Sequence, residues 1–190
     1  NNFILFLGRF HEVKGIDTLL TAVNLIKNNP VFDKMKILIM GVDFGYEKKM
    51  EETITKFDIS EKLIIIKKPK REDVISAYNE CKFLVLPSKW ELSPLTPLEG
   101  FACKKTVIST TAHGIPFTIS HNENCLLVPP SDPQNLADAI LELIQNPAKC
   151  EKLAESGFKM VSNEANLDSM SNKMYSVYER AIKLNNGDLG

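Results

Sequence analysis

Short apolar runs alternate with helix-patterned segments along most of this chain. The runs are Phe3 to Leu7, Lys36 to Met40, Leu63 to Ile66, Phe83 to Leu86, Thr106 to Ser109 and Cys125 to Val128. A strand that is apolar at consecutive positions has no face for water, so it must be covered on both sides, as parallel strands are. The segments between carry apolar residues at helical spacing: Ile16, Leu19, Leu20, Val23 and Ile26 in the first, and Leu136, Ala139, Ile140, Leu143 and Ile144 in the last. A second helix is expected from Tyr46 to Phe57, a third with Val74, Ala77, Tyr78 and Cys81 inward, and a short fourth from Pro97. Strand followed by helix six times predicts a doubly wound α/β sandwich around a mainly parallel, six-stranded sheet.

A helical extension should follow Asn146-Pro147 and run to about Leu184, broken near Ser162 to Glu164. Its last helix gathers Met170, Met174, Val177, Tyr178 and Ala181 on one side, a stripe that reads as packing. The domain thus spans residues 1–184, and the polar tail 185–190 is expected to fray.

With 190 residues, 44% of them apolar, the chain can bury one substantial core. Its net charge of −1, with acids and bases mixed throughout, leaves no electrostatic footprint for nucleic acid or an anionic membrane. No apolar run approaches the roughly 20 residues that span a bilayer. The four cysteines, at 81, 103, 125 and 150, have no metal-binding or redox spacing, which fits reduced thiols and a cytoplasmic setting. A chain that opens directly on a core strand is expected to be part of a longer protein.

Parallel sheets bind ligands outside the carboxyl ends of their strands, so the loops there carry the candidate chemistry. After the fourth strand, Pro87 to Gly100 holds two carboxylates, Glu91 and Glu99. Thr96-Pro97-Leu98-Glu99 matches a capping box with proline at the first helical position, so the local pattern allows Glu99 to be either a cap or a ligand residue. After the first strand, Gly8 to Gly15 carries Arg9 and Lys14, an arginine fork and a lysine point charge that suit a diphosphate. Taken alone, two bases in a loop read more readily as a solvated turn than as a ligand site, as does the run Lys67 to Arg71. His113, beside Gly114, and Trp90 read as a turn residue and a packing residue. Neither dinucleotide-binding nor P-loop glycine spacing is present, nor a hydrolase elbow or zinc-protease helix.

Taken in order, Gly8-Arg9-Phe-His-Glu-Val-Lys14-Gly15, then Leu86-Pro-Ser88 leading to Glu91 and Glu99, then Gly114-Ile-Pro116 and Leu127-Val-Pro-Pro-Ser-Asp132, resemble the C-terminal domain of family 4 (group 1) retaining glycosyltransferases. The resemblance covers nearly the whole chain. It implies a Rossmann-like domain forming one half of a GT-B fold, whose substrate is a nucleoside-diphosphate sugar and which needs neither cofactor nor metal. Arg9, Lys14 and Glu91 would be the catalytic set: the two bases hold the donor diphosphate, assisted by the amino end of the helix near Pro97, and Glu91 contacts hydroxyls of the transferred sugar. Glu99 would accept hydrogen bonds from the ribose. Gly8, Gly41, Lys70, Arg71, Ser93, Leu95 and Thr96 would complete the nucleotide-sugar site, with Lys70 and Arg71 near the base.

Further implications are an N-terminal Rossmann-like partner domain, no activity for this half alone, and a cytoplasmic location, peripheral to a membrane if the partner domain makes it so. The chain departs from the family pattern in three places: Leu92-Ser93-Pro94 stands where Gly-aromatic-Gly is frequent, His113 where glycine is, and Phe117 where an acid is. Proline has no N–H to offer sugar or phosphate, which favours the alternative of a non-catalytic nucleotide-sugar binding module.

Overall fold

The computed structural model describes residues 2–185. Six parallel strands, β1 (Phe3–Leu7), β2 (Lys36–Gly41), β3 (Leu63–Lys67), β4 (Leu84–Leu86), β5 (Val107–Thr110) and β6 (Cys125–Val128), form one sheet in the order β3-β2-β1-β4-β5-β6. The pairing of Gly41 with Lys67 lengthens β2 and β3 by one residue each, and β5 sits one residue later than its apolar run suggested. Such end residues are decided by the neighbouring strand rather than by their own hydrophobicity.

The helices are α1 (Ile16–Ile26), α2 (Glu47–Phe57), α3 (Arg71–Glu80), α4 (Thr96–Ala102), α5 (Pro133–Gln145), α6 (Pro147–Asn163) and α7 (Leu167–Asn185). Alternation along β1 divides the core between the two sheet faces. Ile4 and Phe6 pack with residues of α1, α2 and α5, whereas Leu5 joins Ala77 and Tyr78 of α3, Phe101 of α4 and Val161 of α6. Asp132 Oδ1 accepts the Asn135 N–H at 2.9 Å and caps α5.

Chain direction positions the site. From β1 the chain winds outward through β2 to β3, then returns to β4 on the other side of β1 and winds outward again. The turns leaving β1 and β4 therefore diverge to opposite faces, and the crevice between them is the place where open α/β sheets take ligands.

The helical extension breaks at residues 164–166, slightly later than expected. The stripe on α7 is not packing: none of its residues is buried, and Met170, Met174, Val177 and Tyr178 are all exposed. Helical periodicity shows which side chains share a face; it cannot show that another element covers that face. Asn185 is the last residue of α7, and the rest of the expected tail, 186–190, lies outside the described residues. Among the described residues no helix is long and apolar enough to cross a membrane.

Candidate functional site

The site begins with the turn after β1. Gly8 N–H donates to Met40 O at 3.1 Å, which places Gly8 beside Gly41 at the carboxyl ends of the two strands. Phe10 N–H reaches Val42 O at 2.8 Å, and Phe44 N–H returns to Phe10 O at 3.0 Å, so the β1 and β2 turns are stapled together. Arg9 lies in this staple with its guanidinium 5.1 Å from the Phe44 ring centroid. A cation over an aromatic face is attracted by the ring quadrupole and keeps its hydrogen-bond donors available at its edge. Arg9 forms no ion pair among the described residues.

Next, Glu12–Lys14 makes a single helical turn, started by His11 Nδ1 accepting the Val13 N–H at 3.3 Å. Gly15 ends it at φ 68°, and a Cβ there would lie 1.9 Å from Pro87 O. Only glycine permits both the left-handed backbone and this approach to the loop after β4. Lys89 N–H then donates to Val13 O at 2.8 Å, and Lys89 Nζ pairs with Asp17 at 2.6 Å, locking the loop of β4 against the turn of β1.

Across this lock Lys14 Nζ forms an ion pair with Glu91 Oε1, and Ser88 Oγ donates to the same oxygen at 3.2 Å. Both charged side chains are only about 15% exposed. Partly buried, the pair interacts through a lower effective dielectric than a surface pair, so losing either partner leaves a costly charge. Glu91 O accepts the Gly114 N–H at 2.8 Å, and a Cβ on Gly114 would lie 1.6 Å from Leu92 O, so the turn after β5 is pressed against the same loop. Trp90 and His113 face each other there with centroids 5.9 Å apart. His113 has φ 45°, a left-handed conformation, which explains physically why glycine suits this position. Trp90 is half exposed and Phe117 is 93% exposed, so neither is a core residue.

The expected capping box is not formed. Leu95 already has helical backbone angles, Thr96 is the first residue of α4, and no side chain caps the helix. Glu99 instead accepts a hydrogen bond from the Tyr78 hydroxyl across the groove between α3 and α4. Burial, with the Glu99 carboxylate next to it, drives the Tyr78 phenol well above its usual pKa and keeps it a neutral donor. Arg71, Tyr78 and Glu99 line this groove, a cavity of about 550 Å³. Lys70 precedes α3, its N–H donating to Asp73 Oδ2 at 3.1 Å. Lys67, by contrast, is the last residue of β3 and is paired with Glu47 and Glu51, so it does not belong to a free basic loop.

The structure thus joins Lys14 and Glu91 in one contact, sets Arg9 on the neighbouring staple with Gly8 and Gly41, and places Glu99 with Arg71 in the α3–α4 groove. Ser93 and Leu95 lie exposed on the loop between the two, with Thr96 half buried at its end. Ser88, Phe44 and Tyr78 escaped sequence reasoning as site residues. A serine after a strand and aromatic residues at helical or turn spacing carry no signal that separates packing from function. Among the described residues, no three His, Cys, Asp or Glu side chains gather as a metal site would require.

The family described as glycosyl transferases group 1 matches residues 1–160. This chain belongs to the group 1 glycosyltransferase family. An uncharacterized glycosyltransferase of Methanocaldococcus jannaschii is 33% identical over 156 residues, a match spanning 82% of this chain and 42% of that protein. A D-inositol 3-phosphate glycosyltransferase of Corynebacterium urealyticum is 30% identical over 79% of this chain and 36% of its own length. Among solved structures, sucrose-phosphate synthase from Thermosynechococcus elongatus superposes with a TM-score of 0.84 at 25% identity, covering 96% of this chain and 46% of that one. The group 1 glycosyltransferase chain described here spans less than half the length of these relatives, and its sheet and helices form a Rossmann-like α/β domain of the GT-B type.

Proposed function

We propose that this chain is the donor-binding half of a retaining glycosyltransferase, which moves a hexose from a nucleoside-diphosphate sugar to an acceptor hydroxyl once joined to an N-terminal Rossmann-like domain. The observation that carries this reading is the contact of Lys14 with Glu91 at the switch between β1 and β4. It puts a cation suited to phosphate and a carboxylate suited to sugar hydroxyls within one side-chain contact, as a diphosphate-linked hexose requires.

In the reaction, the bond between the anomeric carbon and the β-phosphate oxygen breaks and negative charge grows on the diphosphate. Lys14 and Arg9 meet that charge with fixed cations, which stabilises the transition state more than the ground state. Glu91, held by Ser88, accepts from hydroxyls of the hexose and fixes its orientation. The acceptor oxygen attacks the same face, its proton passing to the departing phosphate, so the configuration is retained without a covalent sugar–enzyme intermediate. Two cations supply the charge that a metal would otherwise supply, so this reading needs no metal or cofactor beside donor and acceptor. Residues 1–184 form the donor domain in this reading, and the acceptor belongs to the other half.

The alternative is a binding module without catalysis, favoured by Pro94, which is buried in the loop and offers no N–H. To separate the two, the protein carrying both domains is incubated with UDP-, GDP- and ADP-hexoses and a hydroxyl acceptor, and the product linkage is read by proton NMR couplings. The proposal expects a glycoside with the anomeric configuration of the donor. An inverted product contradicts the mechanism; donor binding without turnover supports the module.

A further inference from the structure

The groove between α3 and α4 contains a hydroxyl that packing alone does not explain. Tyr78 is 4% exposed, and its ring lies in the core cluster with Ala77, Leu84 and Phe101, a place that phenylalanine would fill equally well. Its hydroxyl, however, reaches out of that cluster to Glu99 Oε2. Glu99 Oε1 has no hydrogen-bond partner among the described residues, and the residue lines the groove together with Arg71. One carboxylate oxygen is thus held from inside the protein while the other remains available to a ligand.

We propose that Tyr78 is a positioning residue that orients the Glu99 carboxylate for the vicinal 2′- and 3′-hydroxyls of the donor ribose. This rests on the reading of Glu99 as the ribose ligand. A free glutamate samples many rotamers and loses that freedom on binding, so a carboxylate already anchored through one oxygen spends less of its interaction energy on ordering. The anchor must remain a donor at every working pH, and a buried phenol beside a carboxylate does so. A vicinal diol offers two O–H donors to such a carboxylate, whereas a 2′- or 3′-deoxyribose offers only one. Tyr78 therefore contributes to the choice of ribose over deoxyribose without touching the ligand.

The test titrates this chain with the diphosphates of uridine, guanosine and adenosine, then with the 2′-deoxy and 3′-deoxy analogues of the tightest binder, for wild type, Tyr78→Phe and Glu99→Ala. Wild type is expected to prefer the ribose form about tenfold, the worth of one hydrogen bond to a charged group. Glu99→Ala abolishes that preference. Tyr78→Phe removes most of it while leaving affinity for the deoxy analogues and the melting temperature near wild type, a pattern that mere loss of packing does not produce. Retention of the full preference by Tyr78→Phe, alongside its loss in Glu99→Ala, overturns the positioning role alone. Retention in Glu99→Ala overturns the ribose reading itself, and failure of wild type to bind any of the diphosphates overturns both.

Discussion

At the scale of single residues, the proposed function gives the Lys14–Glu91 pair two separable roles. Truncating Lys14→Ala leaves the Glu91 carboxylate with the Ser88 hydroxyl in a mostly shielded position, a loss of about 1–3 kcal/mol of stability measurable by urea titration. The same change should weaken nucleoside-diphosphate binding at least about tenfold, because a cation on phosphate is removed. Glu91→Gln keeps the size and the Ser88 contact, removes the charge and leaves Lys14 more available. It is expected to bind a free nucleoside diphosphate at least as tightly as wild type, yet to lose the extra affinity for the sugar conjugate. Equal losses for diphosphate and conjugate in both variants would contradict the division of labour between phosphate and sugar.

At the scale of elements, the site depends on how closely the turn of β1 can approach the loop of β4. Gly15→Ala puts a methyl group into Pro87 O in a left-handed backbone, so one of the two loops must move. A loss of roughly 2–4 kcal/mol follows from the strain and clash together. Donor binding should fall further than this destabilisation alone explains, since Lys14 sits one residue away. Unchanged stability in calorimetry would show that the loops are not locked as described.

Elements were also where the chain was most legible before the structure. Doubly buried strands such as Phe3–Leu7 announce themselves by continuous hydrophobicity, and the ordered motifs around Arg9, Lys14, Glu91 and Glu99 fall, as expected, beyond the carboxyl ends of β1 and β4. Contacts made across the fold were not legible. The Thr96–Glu99 spacing signals a cap only if Thr96 stays outside the helix, and Leu95 starts α4 too early for that. The Tyr78–Glu99 bond joins residues from two helices, and nothing in either helix specifies it. The α7 stripe had the right period and the wrong consequence, because coverage by another surface is not a property of the helix itself.

On the scale of the whole molecule, burial of thiols makes stability depend on alkali. Cys81 and Cys125 are pushed up to about 12 and Cys150 to about 11 from an ordinary 9.0, in each case mainly by desolvation. Their folded values lie above the unfolded one, so the neutral thiols contribute fully below about pH 9, and stability falls as pH rises from there towards 12. Each thiol that ionises only in the unfolded chain adds up to about 1.4 kcal/mol per pH unit to the fall. Denaturant midpoints should therefore hold between pH 7 and 8.5 and drop steeply by pH 10.5. A flat profile to pH 10.5 would mean that these thiols reach water in the folded state.

The proposed donor site depends on one placement, a diphosphate between Arg9 and Lys14 at the crossing from β1 to β4. The most direct measurement is an amide chemical-shift titration of the chain with UDP, GDP and ADP, repeated with Lys14→Ala. Saturable shifts centred on residues 8–15 and 91–100, for at least one nucleotide and lost in the variant, are the predicted result. Shifts that centre elsewhere, or that persist unchanged in Lys14→Ala, would contradict it.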